Sequence, residues 1–179
     1  MKTRRFSIVC DPWVRSGLAG FLIVLGSFAG QREERADDGT SRLHRHYLLH
    51  SKSEQYVFTE VNRLRTDRGL RPLIRNAKLQ KAARQHSYDM ASLGYFGHVD
   101  LAGRNLEQRL LPFRVSWKRI AENVAKCLGP DPGQMAMEGW LQSKGHKRNI
   151  FDPDFSETGI GAYIGPDEEV TFCQIFLGR

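Results

Sequence analysis

The order in which hydrophobic periodicities change along this chain sets the strongest limit on its fold. Helical spacing comes first. Val57, Val61 and Leu64 recur on one face, with Gly69 as a stop. Arg71-Pro72-Leu73-Ile74 is a short extended link. Asn76, an N-cap residue type, then precedes Leu79, Ala83, His86 and Met90 on a second helical face. Leu106 to Leu111 reads as a short helix stopped by Pro112. Met135 to Ser143 reads as another helix, with Met137, Trp140 and Leu141 on its apolar side. Ile120 to Ala125 is a short apolar run with Glu122-Asn123 in its middle. Strand-like runs close the chain, Gly159–Ile164 and Val170–Leu177, separated by the turn signal Gly165-Pro166-Asp167-Glu168. Helices first and strands late predict an α+β fold, with helices packed on a small antiparallel sheet.

The N-terminal segment is of a different kind. Lys2, Arg4, Arg5 and Arg15 are followed by an uncharged stretch from Gly17 to Gly30 and by the small-x-small site Ser27-Phe28-Ala29. These are the three parts of a secretory signal peptide, expected over residues 1–29, with an uncleaved N-terminal anchor as the alternative. The apolar stretch is short for a membrane span, and none is expected in the mature chain. Export makes a secreted or periplasmic location the expectation. Residues 30–53 carry mixed charge without apolar periodicity and read as a flexible linker. His44, His46 and His50 lie there, but no carboxylate or cysteine joins them in a metal-binding spacing. One domain is expected over residues 54–179.

The leader alters how the composition is read. The whole chain has a net charge of +7. Residues 1–29 hold four basic residues and Asp11, which leaves 23 basic against 19 acidic residues, or +4. So mild an excess, with no clustered stripe and no stacking residues, argues against a nucleic-acid partner. The leader also removes Cys10, leaving Cys127 and Cys173 as a candidate disulfide; two buried thiols are the alternative.

Several short strings stand in a specific order: Val61-Asn62-Arg63, Gly69-Leu70-Arg71-Pro72-Leu73, Phe96-Gly97-His98 and Ala121-Glu122-Asn123-Val124-Ala125. After them come Trp140 to Ile150, containing Ser143-Lys144-Gly145-His146-Lys147-Arg148-Asn149-Ile150, then Gly159-Ile160-Gly161 and Gln174-Ile175-Phe176. Together they resemble the CAP superfamily of cysteine-rich secretory proteins, antigen 5 and pathogenesis-related proteins, and most of all its bacterial branch. The resemblance covers residues 54 to 179 and implies an α-β-α sandwich. It also implies a cleft with two histidines and two acids. His98, Glu122 and His146 match three of these. The position of the second glutamate holds Ser143, and Glu138 lies about 200° round the helix from Trp140, at 100° per residue.

The expected cleft is therefore His98, Glu122, Ser143 and His146. Two imidazoles, His98 and His146, are candidate ligands for a divalent metal such as zinc, with water or a carboxylate completing the shell. Glu122 either orients a histidine ring through the far nitrogen or serves as a candidate general base. The competing reading is a hydrogen-bonded polar network that holds the loops over the sheet. His86 reads as a satisfied core histidine, Trp117 and Trp140 as core anchors, and Asn123 and Asn149 as loop or cap residues bonding backbone. No Gly-x-Ser-x-Gly elbow or His-Glu-x-x-His helix is present. The resemblance implies a secreted binding module whose partner is a metal, a small lipid, an envelope component or a protein. A metal-assisted or His/Glu-based hydrolase acting on peptide or envelope polymers is the alternative.

Overall fold

A computed structural model describes the backbone of residues 4–10 and 39–179 apart from Asp167, and side chains from His50 onward. In chain order the elements are β1 (Arg4–Cys10), α1 (Gly39–Thr66), β2 (Ile74–Arg75), α2 (Ala77–Ser92) and α3 (Leu106–Leu110). They continue with β3 (Arg119–Cys127), α4 (Pro132–Gln142), α5 (Lys144–Ile150), β4 (Glu157–Ile164) and β5 (Val170–Gly178). The sheet order is β1-β3-β5-β4-β2. Its three central strands run antiparallel, as the terminal hairpin signal implies. The edge strands β1 and β2 pair in parallel with β3 and β4, so the sheet is mixed rather than purely antiparallel.

The strand alternation explains why helices lie on both faces. Ala121, Ala125 and Cys127 of β3 join Ile160, Ala162, Phe172 and Phe176 in a core covered by α1, α4 and α5. Their neighbours Ile120, Val124, Cys173, Ile175 and Leu177 point the other way, into a core closed by α2 and α3. The α-β-α sandwich follows from a sheet that is apolar on both sides. The same alternation separates the two cysteines of the candidate disulfide. Cys127 faces the α1/α4/α5 layer and Cys173 the α2/α3 layer, so the two are not bridged to each other.

The structure describes parts of the two N-terminal segments. Helix α1 begins at Gly39, so residues 39–53 of the expected linker are helical. At its described end, the backbone N–H of Ile164 donates to His50 Nε2 at 2.9 Å, and the buried Glu54 carboxylate accepts from Gln80 and Arg84 of α2. These tertiary bonds stabilise a helix whose sequence shows no apolar stripe in that stretch. Within the expected leader, residues 4–10 form the β1 edge strand; the apolar stretch and the small-x-small site lie outside the described residues. Among the described residues no helix is long and apolar enough to cross a membrane.

Two glycines bring α2 onto the sheet. Gly159 and Gly161 of β4 face the backbone of α2 at Leu79–Gln80 and Ala83–Arg84, and a Cβ at either position would overlap those atoms. Backbone, unlike a flexible side chain, cannot swing aside. Gly161→Ala is expected to lower stability by about 3 kcal/mol, read as a fall in the urea midpoint; an unchanged midpoint would show that α2 shifts freely.

Candidate functional site

The site is built on β3 and on the segment between α2 and α3. Helix α2 ends at Leu93, and Gly94 turns the chain with φ +69°, a conformation glycine adopts without the steric penalty of a side chain. Asp100 then folds the loop: its Oδ1 accepts from the backbone N–H groups of Ala102 (3.0 Å) and Arg104 (2.9 Å), and its Oδ2 from the Arg104 guanidinium. A capping box between Asn105 and Gln108 starts α3, which places Arg109 one turn in, between the buried Leu106 and Leu110. His86 holds the other end of the loop. Its Nε2–H donates to Gly97 O at 2.9 Å, next to His98, and its Nδ1 takes the long contact from Tyr95 O–H at 3.4 Å. The satisfied core histidine thus also positions the loop, and burial holds its pKa below the ordinary imidazole value.

Glu122 is the centre. It is fully buried on the α2/α3 face of β3, opposite Ile175. Its Oε2 accepts from His98 Nδ1–H at 2.7 Å and its Oε1 from Arg109 at 2.7 Å, while the Cys173 thiol lies 3.3 Å from Oε1 as a donor. Arg109 also reaches the His98 carbonyl at 3.3 Å. Burial alone would push the Glu122 carboxyl up, yet the Arg109 charge and the His98 hydrogen bond, helped by His86, overcome it and hold the pKa at about 2. Burial, with the Glu122 charge, pushes the Cys173 thiol up, which keeps it protonated.

The structure joins His98 to Glu122 directly and places His146 and Ser143 by other routes. Asn123 points to the opposite face of β3, where its Nδ2 donates to the His146 carbonyl at 3.3 Å. Asn149 of α5 donates to Asn123 Oδ1 (2.8 Å) and to the Glu122 carbonyl (3.4 Å). These asparagines bond backbone as expected, but from a strand and a helix rather than from loops. His146 is fully buried on α5. Ser143 separates α4 from α5, and no hydrogen bond joins its hydroxyl to His98 or Glu122. Trp140 is a core anchor, fully buried, with its N–H on Val124 O at 3.1 Å. Glu138, two residues before it, accepts from Gln134 Nε2 at 2.9 Å.

Arg109 is the site residue that motif reading passes over. The available signal was a cation set among Leu106, Leu110 and Leu111 on the apolar side of a short helix, where burial needs an anion. Around Glu122, His98 Nε2 and Arg109 Nε are left over, as is Asn149 Oδ1 on the opposite face; all three are buried and without a hydrogen-bond partner among the described residues.

With this geometry in view, the relatives of the chain can be placed. The family model for CAP, the cysteine-rich secretory protein family, matches residues 58–176. The chain belongs to the CAP family. It is 33% identical over 129 residues to YkwD of Bacillus subtilis (strain 168), described as an uncharacterized protein; the match takes in 72% of this chain and 48% of that one. Among solved structures, an extracellular protein containing a SCP domain from Bacillus anthracis str. Ames superposes with a TM-score of 0.66 at 26% identity, over 76% of this chain and 43% of that one. An outer surface protein of Borrelia burgdorferi gives 0.65 at 21% identity, covering 72% and 93%, and supports the fold alone. The chain thus spans about half the length of the first two relatives. In this CAP domain the Phe-Gly-His and Ala-Glu-Asn strings carry the paired His98 and Glu122.

Proposed function

We propose that this CAP-domain protein is an exported binding module whose cleft takes a polar organic ligand from the cell envelope at His98. The observation that carries the reading is the division of roles on one imidazole. Nδ1–H is held by Glu122 at 2.7 Å, and Nε2 has no partner among the described residues. A ring fixed in this way holds the Nε2 lone pair in a buried position, where a ligand hydroxyl or amide that displaces the side chains over it would donate. Export is supported by the leader pattern of residues 1–29 and by the extracellular relative.

A zinc site fits the donors poorly. Among the described residues no group of three or more His, Cys, Asp or Glu side chains converges to hold a metal ion. Both Glu122 oxygens are already engaged, and Arg109 adds a positive charge beside them. Glu122 as the base of a hydrolase is also disfavoured. Its carboxylate is fully buried, and a pKa of about 2 makes it a weak proton acceptor at neutral pH.

The test is a histidine-ring ¹⁵N NMR titration of the full chain with soluble peptidoglycan fragments, with palmitate and with zinc chloride, each alone. Peptidoglycan fragments are expected to move the His98 Nε2 resonance, and His98→Gln to abolish binding. Movement by zinc alone would replace the reading with a metal site, and movement by palmitate alone with a lipid site. Fragment cleavage lost in His98→Gln would replace it with a hydrolase.

A further inference from the structure

The basic residues that are scattered in sequence meet at one end of the sheet. Two grooves open there. One, of 410 Å³, is lined by Arg75, Lys78, Arg114 and Arg179. The other, of 520 Å³, is lined by Arg71, Lys118, Arg119 and Arg179. Arg179 borders both, so the grooves form one track. Glu157 and Asp154 are the acids along it, against seven cations. Glu157 pairs with Arg179, and Asp154, with the nearby Asp152, pairs with Arg119. Arg71, Lys78, Arg114 and Lys118 are exposed and face no acidic side chain among the described residues.

We infer that this track binds a linear phosphate-bearing polymer, at a site separate from the His98 cleft and independent of its ligand. The chemistry selects the partner in three steps. Lys78 with Arg114 at one groove and Arg71 with Lys118 at the other are cation pairs without an acidic partner, and each pair suits a group with more acceptor oxygens than a carboxylate has, so that one phosphate serves two side chains at once. No Phe, Tyr or Trp lines either groove, so the stacking platform that holds single-stranded nucleic acid is missing. The cations border recesses that a narrow chain enters and a flat bilayer does not. The four cations without an acidic partner, Arg71, Lys78, Arg114 and Lys118, are spread over two joined grooves and so match a polyanion better than a single phosphate ion. Only folding brings the set together, from the Arg71–Lys78 link, the loop before β3 and the last residue of the chain. That is why the sequence, with its mild net charge, shows no basic stripe.

The probe is fluorescently labelled long-chain linear polyphosphate, titrated with the full chain and followed by anisotropy at several salt concentrations. Arg71→Gln, Lys78→Gln, Arg114→Gln and Lys118→Gln combined should weaken binding at least about tenfold and flatten the plot of log affinity against log salt by about three, at 0.7 per lost contact. A control combining Lys52→Gln, Lys144→Gln, Lys147→Gln and Arg148→Gln removes the same charge from exposed positions that line neither groove and should lose clearly less affinity. The four track residues are exposed, and matching melting curves check that the combined variant folds; single Gln variants, each with a proportionate loss, are the second line. Four results would overturn the inference: no binding at low salt, equal loss in the control, tighter binding of polyglutamate or single-stranded DNA than of polyphosphate, or equal binding of phosphatidylglycerol vesicles. His98→Gln should leave polyphosphate binding unchanged, so failure here and failure of the cleft reading are told apart.

Discussion

Glu122→Gln is expected to destabilise the domain by about 3–5 kcal/mol, the usual result of removing one partner from a buried ion pair. Arg109 loses its counter-charge in a site where Glu122 is fully buried and Arg109 is only 8% exposed, and the new amide sets a donor against either Arg109 or His98. The pH dependence gives a second signature. The folded pKa of about 2 lies below the ordinary glutamate value of 4.5. The stabilisation from this carboxylate is therefore fully present above about pH 4.5 and is lost as pH falls toward 2. Integrated over that shift it amounts to roughly 3 kcal/mol. Urea midpoints between pH 2 and 7 should show this acid-side loss in the natural chain and lack it in Glu122→Gln. If the variant keeps the full midpoint at neutral pH, the pair does not hold the fold and the site reverts to a candidate for chemistry.

Arg65→Met is expected to be at least as damaging, although no motif marks the residue. Arg65 is completely buried and faces backbone carbonyls rather than an acid. Its Nε donates to Arg71 O (2.9 Å), one terminal nitrogen to Ile150 O (2.8 Å) and Asp152 O (2.9 Å), and the other to Phe155 O (3.0 Å). Methionine fills the space and leaves four carbonyls without this donor. At about 1–3 kcal/mol for each one left buried and unsatisfied, the loss rivals the whole stability of a domain this size. Equilibrium urea denaturation should place Arg65→Met largely unfolded at ambient temperature. Arg65→Lys should recover only part, since an ammonium cannot spread donors over that fan. A midpoint near that of the natural chain would show that water reaches those carbonyls.

These two residues mark where sequence reasoning reaches and where it stops. Short-range patterns were legible: the Val57–Val61 stripe, the α2 face ending at Met90, the closing hairpin, and the spacing that sets His98 and Glu122 in their strings. Each depends on neighbours within a few positions. Arg65 depends on partners far along the chain, and Arg109 on Glu122, 13 residues on and in a different element. Val61 plus four is Arg65, and on a helical wheel that cation reads as a break in an apolar stripe, because three of its four acceptors lie 85, 87 and 90 residues away. The candidate Cys127–Cys173 bridge fails for a related reason: strand parity decides which face each thiol sees, and parity is set only once β3 is known to run from Arg119. The early start of α1 was hidden because bonds to β4 and α2 hold that stretch, not its own periodicity.

The contact between α2 and the two glycines of β4 has a thermodynamic consequence for the cleft. Where helix and strand meet backbone to backbone, there are no rotamers between them to rearrange. The helix leads directly into the loop carrying His98, and His86 and Glu122 tie that loop down at two adjacent residues, Gly97 and His98. The ordering of this imidazole is thus completed when the chain folds. On the proposed reading, a ligand at the buried Nε2 would meet an imidazole with little conformational entropy left to lose, and the cost of reaching it would fall on the side chains that cover it.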